Sequence, residues 1–404
     1  MTLLDSISLA AAEAEAGGNL SSPSKFPIVL NADDIFPQLK PDSEAPDGAS
    51  FVKRVSGWKI SETDAEIAEL AAGFAKTLRR KLKKTGSLDQ SKFLGLLNSF
   101  LRNNAEKIRL SLGSDPSDAS GPDFTRAAIE KLGFLIGREV AALIAEGCVV
   151  LELWEVLESL ILQGLVGHLN SINLVEKLVE KSQSGLLCLF VKHAPDLRSS
   201  ELLSVLKYFL SPKEDCYGSM IGVRKQWEKQ GLLAIEKAVQ KGIPKKVSNV
   251  AKEASILLMM AYDGFSSSEL CLHYVFGSSN LDGLMLSSAI SKLDGSEVLG
   301  LIRYFVKWLE KYQRFPEARP CPSAGSVLGL KACESVPSME SVLRGLGLVL
   351  DEHFSYLVLN SEFHDEMRAA GKVINSLASE ADSCFLVDDI IKYLQLEVRR
   401  NEDL

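Results

Sequence analysis

Histidine is scarce in this sequence, and the residues that build catalytic or metal centres never gather. There are 5 histidines in 404 residues and no H-E-x-x-H pair. The 7 cysteines contain no C-x-x-C pair. A structural zinc site takes four ligands at close spacing, and no such set occurs. Cys148, Cys188 and Cys271 instead read as small apolar core residues of a protein kept reduced. Phosphate-binding G-x-x-x-x-G-K-[ST] and nucleophile-bearing G-x-S-x-G patterns are missing as well. "GLGLVL" at Gly345–Leu350 has two glycines of the dinucleotide pattern. It lacks the third and lies within helical spacing rather than after a strand, which removes the mechanism.

Long apolar runs are lacking too. A membrane-spanning helix needs about 20 mostly apolar residues. Ser159–Val175, the longest uncharged stretch of the apolar middle, is interrupted by Gln163, His168, Asn170 and Asn173. The first residues, "MTLLDSISLAAAEAEAGG", have no basic region and carry Asp5, Glu13 and Glu15, so neither a secretory signal nor a transit peptide is expected. A net charge of −8 argues against a surface coated throughout with nucleic acid, while leaving room for a local basic patch.

Apolar residues at helical spacing are abundant. They begin after about residue 58. Before that the chain is small, polar and interrupted by Pro23, Pro27, Pro37, Pro41 and Pro46, the composition of a disordered tail. Ile67, Leu70, Ala71, Phe74 and Leu78 then fall on one stripe, and Thr63 with Glu66 reads as a capping box. A second box is expected at Ser87 and Gln90. "PDFTRAAIEKLGFLIGREVAALIAEG" and "CVVLELWEVLESLILQGLVGHL" each read as one helix, with His168 packed on the apolar side of the latter.

Further helical stretches follow, from "INLVEKLVEK" to "SEVLGLIRYFVKWLEKYQ", separated by short Gly-, Ser- and Pro-containing joints. Strict alternation of the strand type is not found, nor is self-similarity at 34–45 residues. The expectation is all-α: an irregular, solenoid-like stack of antiparallel helices. Its parts would be the tail 1–58, N-terminal helices 59–147, a central array 148–315, a Pro-rich loop 316–336 and C-terminal helices 337–404.

Two stretches compete as sites. "LDEHFSYLVL", Leu350–Leu359, places Asp351, Glu352 and His353 in a row, and "FHDE" follows at Phe363–Glu366. Successive helical residues point about 100° apart, so the three cannot converge on one ion. His353 and His364 on one continuous helix would be about 16 Å apart, far beyond a shared zinc ligand distance. This stretch is expected to be helix surface, with Leu346, Val349, Leu350, Phe354, Leu357 and Val358 as its apolar stripe and Asn360 or Ser361 capping a new helix. Cys271 with His273, and Cys188 with His193, likewise lack further ligands nearby.

The second stretch is "KTLRRKLKK", with Lys76, Arg79, Arg80, Lys81, Lys83 and Lys84. It reads as a solvated helix end complementing the helix dipole, as an import signal, or as a patch that contacts RNA or DNA phosphates. Aromatic residues do not interleave it, so any nucleic-acid contact would be weak and made through phosphates.

The runs "LLCLFVKHAPDL" (Leu186–Leu197) and "LKYFLS" (Leu206–Ser211), with the later "LGLVLDEHF" (Leu346–Phe354 within it) and a closing helix, give the chain a resemblance over residues 150–397. It resembles the C-terminal helical region of the nucleolar protein 11 family of ribosome-biogenesis factors. The resemblance implies a non-enzymatic nucleolar scaffold without cofactor, metal or small-molecule substrate. Such a scaffold would hold protein partners of a pre-ribosomal complex, the small-subunit processome with the U3 small nucleolar ribonucleoprotein, in pre-rRNA transcription and processing. That family places a β-propeller ahead of the helices, and no propeller-length run of strands stands here. A general armadillo- or HEAT-like adaptor in the cytosol, serving trafficking or transport, is the alternative expectation.

Overall fold

Helix boundaries in this chain are set by hydrogen bonds at the ends as much as by apolar spacing. In the computed structural model the described residues are 62–83, 88–112, 121–166, 171–194, 197–242 and 244–402. The expected tail over 1–58 lies outside them, as do Lys84, Ser87 and His168. Among the described residues there are sixteen α-helices and no strand. The first eight are α1 (Glu62–Lys83), α2 (Gln90–Lys107), α3 (Pro122–Leu132), α4 (Arg138–Val150), α5 (Trp154–Leu162), α6 (Ser171–Glu180), α7 (Ser184–His193) and α8 (Ser199–Leu210). The others are α9 (Tyr217–Val239), α10 (Lys245–Tyr262), α11 (Ser267–Phe276), α12 (Gly283–Ile290), α13 (Gly295–Arg314), α14 (Ser323–Leu328), α15 (Met339–Leu359) and α16 (His364–Glu402).

Several ends differ from those the sequence suggested. Helix α1 already includes Thr63, so Thr63 is not its cap; Glu66 instead pairs with Lys107 of α2 at 2.6 Å. Helix α2 is capped by Asp89, whose carboxylate accepts from the Lys92 amide at 2.7 Å, and not by Ser87. The two long stretches read as single helices are each broken. Gly133–Leu135 is a 3₁₀ turn, and Gly137 precedes α4. Glu152 then adopts φ 56°, and the Leu153 amide donates back to the Cys148 carbonyl at 2.8 Å. This is the left-handed helix stop usually made by glycine. The same device ends α2 at Arg109, α5 at Gly164 and α6 at Ser182.

The packing follows two lines of neighbours. In one, α1, α4, α6, α8, α12 and α15 touch in succession. In the other, α2, α3, α5, α7 and α11 do the same, continuing through ring contacts between α11 and α13 and then to α16. Contacts between the lines, such as α1 with α2, α4 with α5, α6 with α7 and α8 with α11, close a single core that runs from Ala75 to Ala370. The α9–α10 hairpin is an insertion lying on α7 and α11. Each amphipathic helix thus buries its stripe on near neighbours in sequence, the organisation of a helical array.

Two expected boundaries dissolve in this core. The one at 147/148 falls inside α4. The Pro-rich segment 316–336 is not an open loop, since it contains α14 and a 3₁₀ turn, Lys331–Ser335, with Ala332 and Cys333 buried. Gly345 of "GLGLVL" has a packing reason. A Cβ there would overlap the buried Phe305 ring, so the glycine lets α15 close on α13.

Candidate partner-binding surfaces

The polar residues singled out in the sequence are distributed over the fold, not assembled. His273 sits on α11 with no solvent exposure, ringed by Trp227, Phe265, Tyr304 and Trp308. Its Nε2 lies 2.9 Å from the Ala261 carbonyl and its Nδ1 2.9 Å from the Tyr304 hydroxyl. A carbonyl only accepts, so Nε2 carries the proton and Nδ1 accepts from Tyr304. Burial pushes the imidazole pKa down to about 3, keeping it neutral. His273 therefore ties α10, α11 and α13 together, with both nitrogens used.

In the "DEHF" stretch, the side chains turn to separate partners. Glu352 accepts from the Ser287 hydroxyl, and His353 donates from Nε2 to the Ile290 carbonyl at 2.8 Å, both joining α15 to α12. His364 donates to the Val358 carbonyl at 2.9 Å. Among the described residues no group of three or more His, Cys, Asp or Glu could hold a metal ion. Near Cys188, His193 is half-buried. Its pKa is lowered by burial first and then by Lys192 and Lys331, against the opposing charge of Glu334. Lys192 bridges Glu334 at 2.7 Å and also reaches the Lys331 carbonyl at 3.2 Å. This cluster pins α7 to the 331–335 turn.

The basic run forms the last turns of α1. Arg79 pairs with Glu139 of α4, so its charge is balanced within the fold. Lys76, Arg80 and Lys83 are exposed; Lys81 is half-buried and points to another side of the helix. Among the described residues no carboxylate pairs with Lys76, Arg80, Lys81 or Lys83. Three cations on one exposed face remain available, together with the C-terminal end of the dipole that they offset.

A feature not anticipated from the sequence lies at the other end of the array. The apolar stripe of α15 is split: Leu346, Val349 and Leu357 are buried, while Phe354 and Val358 are 66% and 55% exposed. These two side chains, with Leu350 and Leu357, form one wall of a groove of about 780 Å³, and His364, Met367 and Arg368 of α16 form the other. Its lining is mostly apolar and includes Asp351 and Arg368, the latter paired with Asp365 at 2.6 Å. Gly347 on α15 and Gly371 on α16 have open space at the Cβ position. The signal was present as surplus apolar residues on α15, but spacing alone does not say which of them a neighbour covers.

Among the described residues no helix is long and apolar enough to cross a membrane. No protein-family model and no curated protein sequence matches this chain.

Proposed function

We propose that this protein is a non-enzymatic helical scaffold of ribosome biogenesis, working in the nucleolus by holding partner proteins of a pre-ribosomal complex. The observation that carries the binding role is the α15–α16 groove, with Phe354 and Val358 uncovered on its wall. A groove of this kind accepts the apolar face of an amphipathic helix, anchored at spacings of three and four residues. Asp351 in the lining favours a helix with a base flanking its stripe, whereas Arg368 is already paired with Asp365 at 2.6 Å. The ribosomal setting rests on the resemblance of residues 150–397 to the nucleolar protein 11 family.

Lys76, Arg80 and Lys83 fit a supporting contact to RNA phosphates or an import signal. Acute depletion of the protein, followed by measurement of pre-rRNA precursors, tests the reading. Accumulation of early precursors is expected. Unchanged precursors, with a fluorescent fusion excluded from the nucleus, would overturn it in favour of a cytosolic adaptor.

A further inference from the structure

A second groove lies over α7 and shares no lining residue with the α15–α16 groove. Helix α7 touches both α5 and α9. Residues of all three, with Lys331 and Ala332 of the 331–335 turn, line a space of about 510 Å³. Helices α7 and α9 run in the same direction. Near their starts the Ser219 hydroxyl accepts from the Ser184 amide at 2.9 Å; further on, Gln230 and Lys192 both hold the 331–335 turn.

The α9 side of this groove differs from an ordinary helix surface. Ser219, Gly222, Gln226 and Gln230 line it at spacings of three and four, so they share one face, and none is charged. Lys225, Glu228, Lys229 and Glu236, exposed on the same helix, lie outside the lining. The lining side chains also keep hydrogen-bonding capacity. Gln230 accepts from the Ala332 amide at 2.8 Å through Oε1, which leaves its N–H groups to donate. Gln226 has no side-chain hydrogen bond among the described residues, so both its carbonyl and its N–H groups remain.

Two glycines face this space. An added Cβ at Gly185 of α7 or Gly222 of α9 would meet nothing within 4 Å. Glycine weakens a helix relative to alanine, and the packing of the fold does not call for it at either place. Close approach of another backbone does.

Charge selects the ligand. Helix α5 contributes Glu155 and Glu158, one turn apart on one face. Glu155 has no ion pair among the described residues, and Glu158 is 3.9 Å from Arg126. Of the lining cations, Lys192 is already bound to Glu334 at 2.7 Å, while Lys331 has no ion pair among the described residues. We propose that this groove binds an extended segment of a partner protein, with a lysine or arginine held by Glu155 and Glu158. Ser219 to Gln230 spans about 16 Å of helix, the length of roughly five extended residues. Amides of Gln226 and Gln230 meet the segment's backbone groups, and the two carboxylates repel the phosphates of a nucleic acid.

The test uses the full chain and arrays of capped heptapeptides with randomised flanks and a fixed central lysine, alanine or glutamate. The lysine array should be retained most and the glutamate array least. Attraction of any basic peptide to a chain of net charge −8 is separated by Gly222→Leu, which leaves charge unchanged. That variant should keep or raise the unfolding temperature, since its side chain enters open space, yet weaken retained peptides by about tenfold or more. Gln226→Ala should weaken them by about fivefold, and Glu155→Lys with Glu158→Lys should reverse the preference between the lysine and glutamate arrays. Equal retention of all three arrays, retention of none, or retention unmoved by Gly222→Leu would overturn the proposal. So would a single-stranded RNA oligonucleotide bound in place of the peptides and lost with Gly222→Leu.

Discussion

Helix α11 and the far half of α16 are both built largely from apolar residues, yet their surroundings are opposite. In α11 every residue from Leu270 to Phe276 is buried, including a histidine. In α16, Phe385 to Leu394 stand exposed apart from Leu386, whose surroundings lie outside the described side chains. The difference lies in neighbours. Helix α11 touches α7, α8, α9 and α15 and shares ring contacts with α13, while α16 has α13 beside it only through Glu380. Apolar composition drives association in both cases. In the first the association is folding; in the second the apolar side chains stay largely exposed among the described residues.

The largest expected effect breaks the interior side of this comparison. Trp308→Ala removes a ring with no exposure, packed on Phe265, His273 and Tyr312, and should cost about 3–5 kcal/mol in urea unfolding. Phe354→Ala, on the exposed wall of the groove, should stay within about 0.5 kcal/mol. Equal losses at both positions would erase the distinction between covered and uncovered surface.

Acid should act on the interior next. His273 is held near 3 when folded and returns to an ordinary value when unfolded, so the unfolded state binds the extra proton between these limits. Its contribution is present in full above about pH 6.5 and falls by about 1.4 kcal/mol per pH unit below that, towards pH 3. Urea unfolding at pH 7, 5.5 and 4.5 measures the slope, and His273→Asn, less stable at pH 7, should flatten it. A smaller effect, about 1–3 kcal/mol, is expected for Gly345→Ala, because the added methyl must displace the buried Phe305 ring between α13 and α15. A neutral result would mean that these helices are not locked at the end of the array.

Much of the fold was legible because it depends on local rules. Helix α11, Ser267–Phe276, falls within the run of helical stretches expected between "INLVEKLVEK" and "SEVLGLIRYFVKWLEKYQ", and its cap Ser266 forms a reciprocal box with Glu269. Helix α8, Ser199–Leu210, falls in the same run. What escaped were stops made by residues that rarely make them. Arg109, Glu152 and Ser182 take the left-handed turn usually made by glycine, so the break between α4 and α5 was expected at Gly147 rather than at Glu152. The candidate surface was half legible. The basic run and its exposure follow from sequence, but the ion pair of Arg79 with Glu139 spans 60 residues and depends on how α1 meets α4. The exposure of Phe354 depends on a neighbour that is not supplied by the described chain on that side, which no periodicity encodes.

The proposed binding role stands or falls with the α15–α16 groove. Its most direct test is quantitative affinity purification of the intact chain beside a Phe354→Glu, Val358→Glu variant of equal stability. Pre-ribosomal proteins are expected with the intact chain, and their loss from the variant. Recovery of the same proteins in the same amounts with both chains would contradict it.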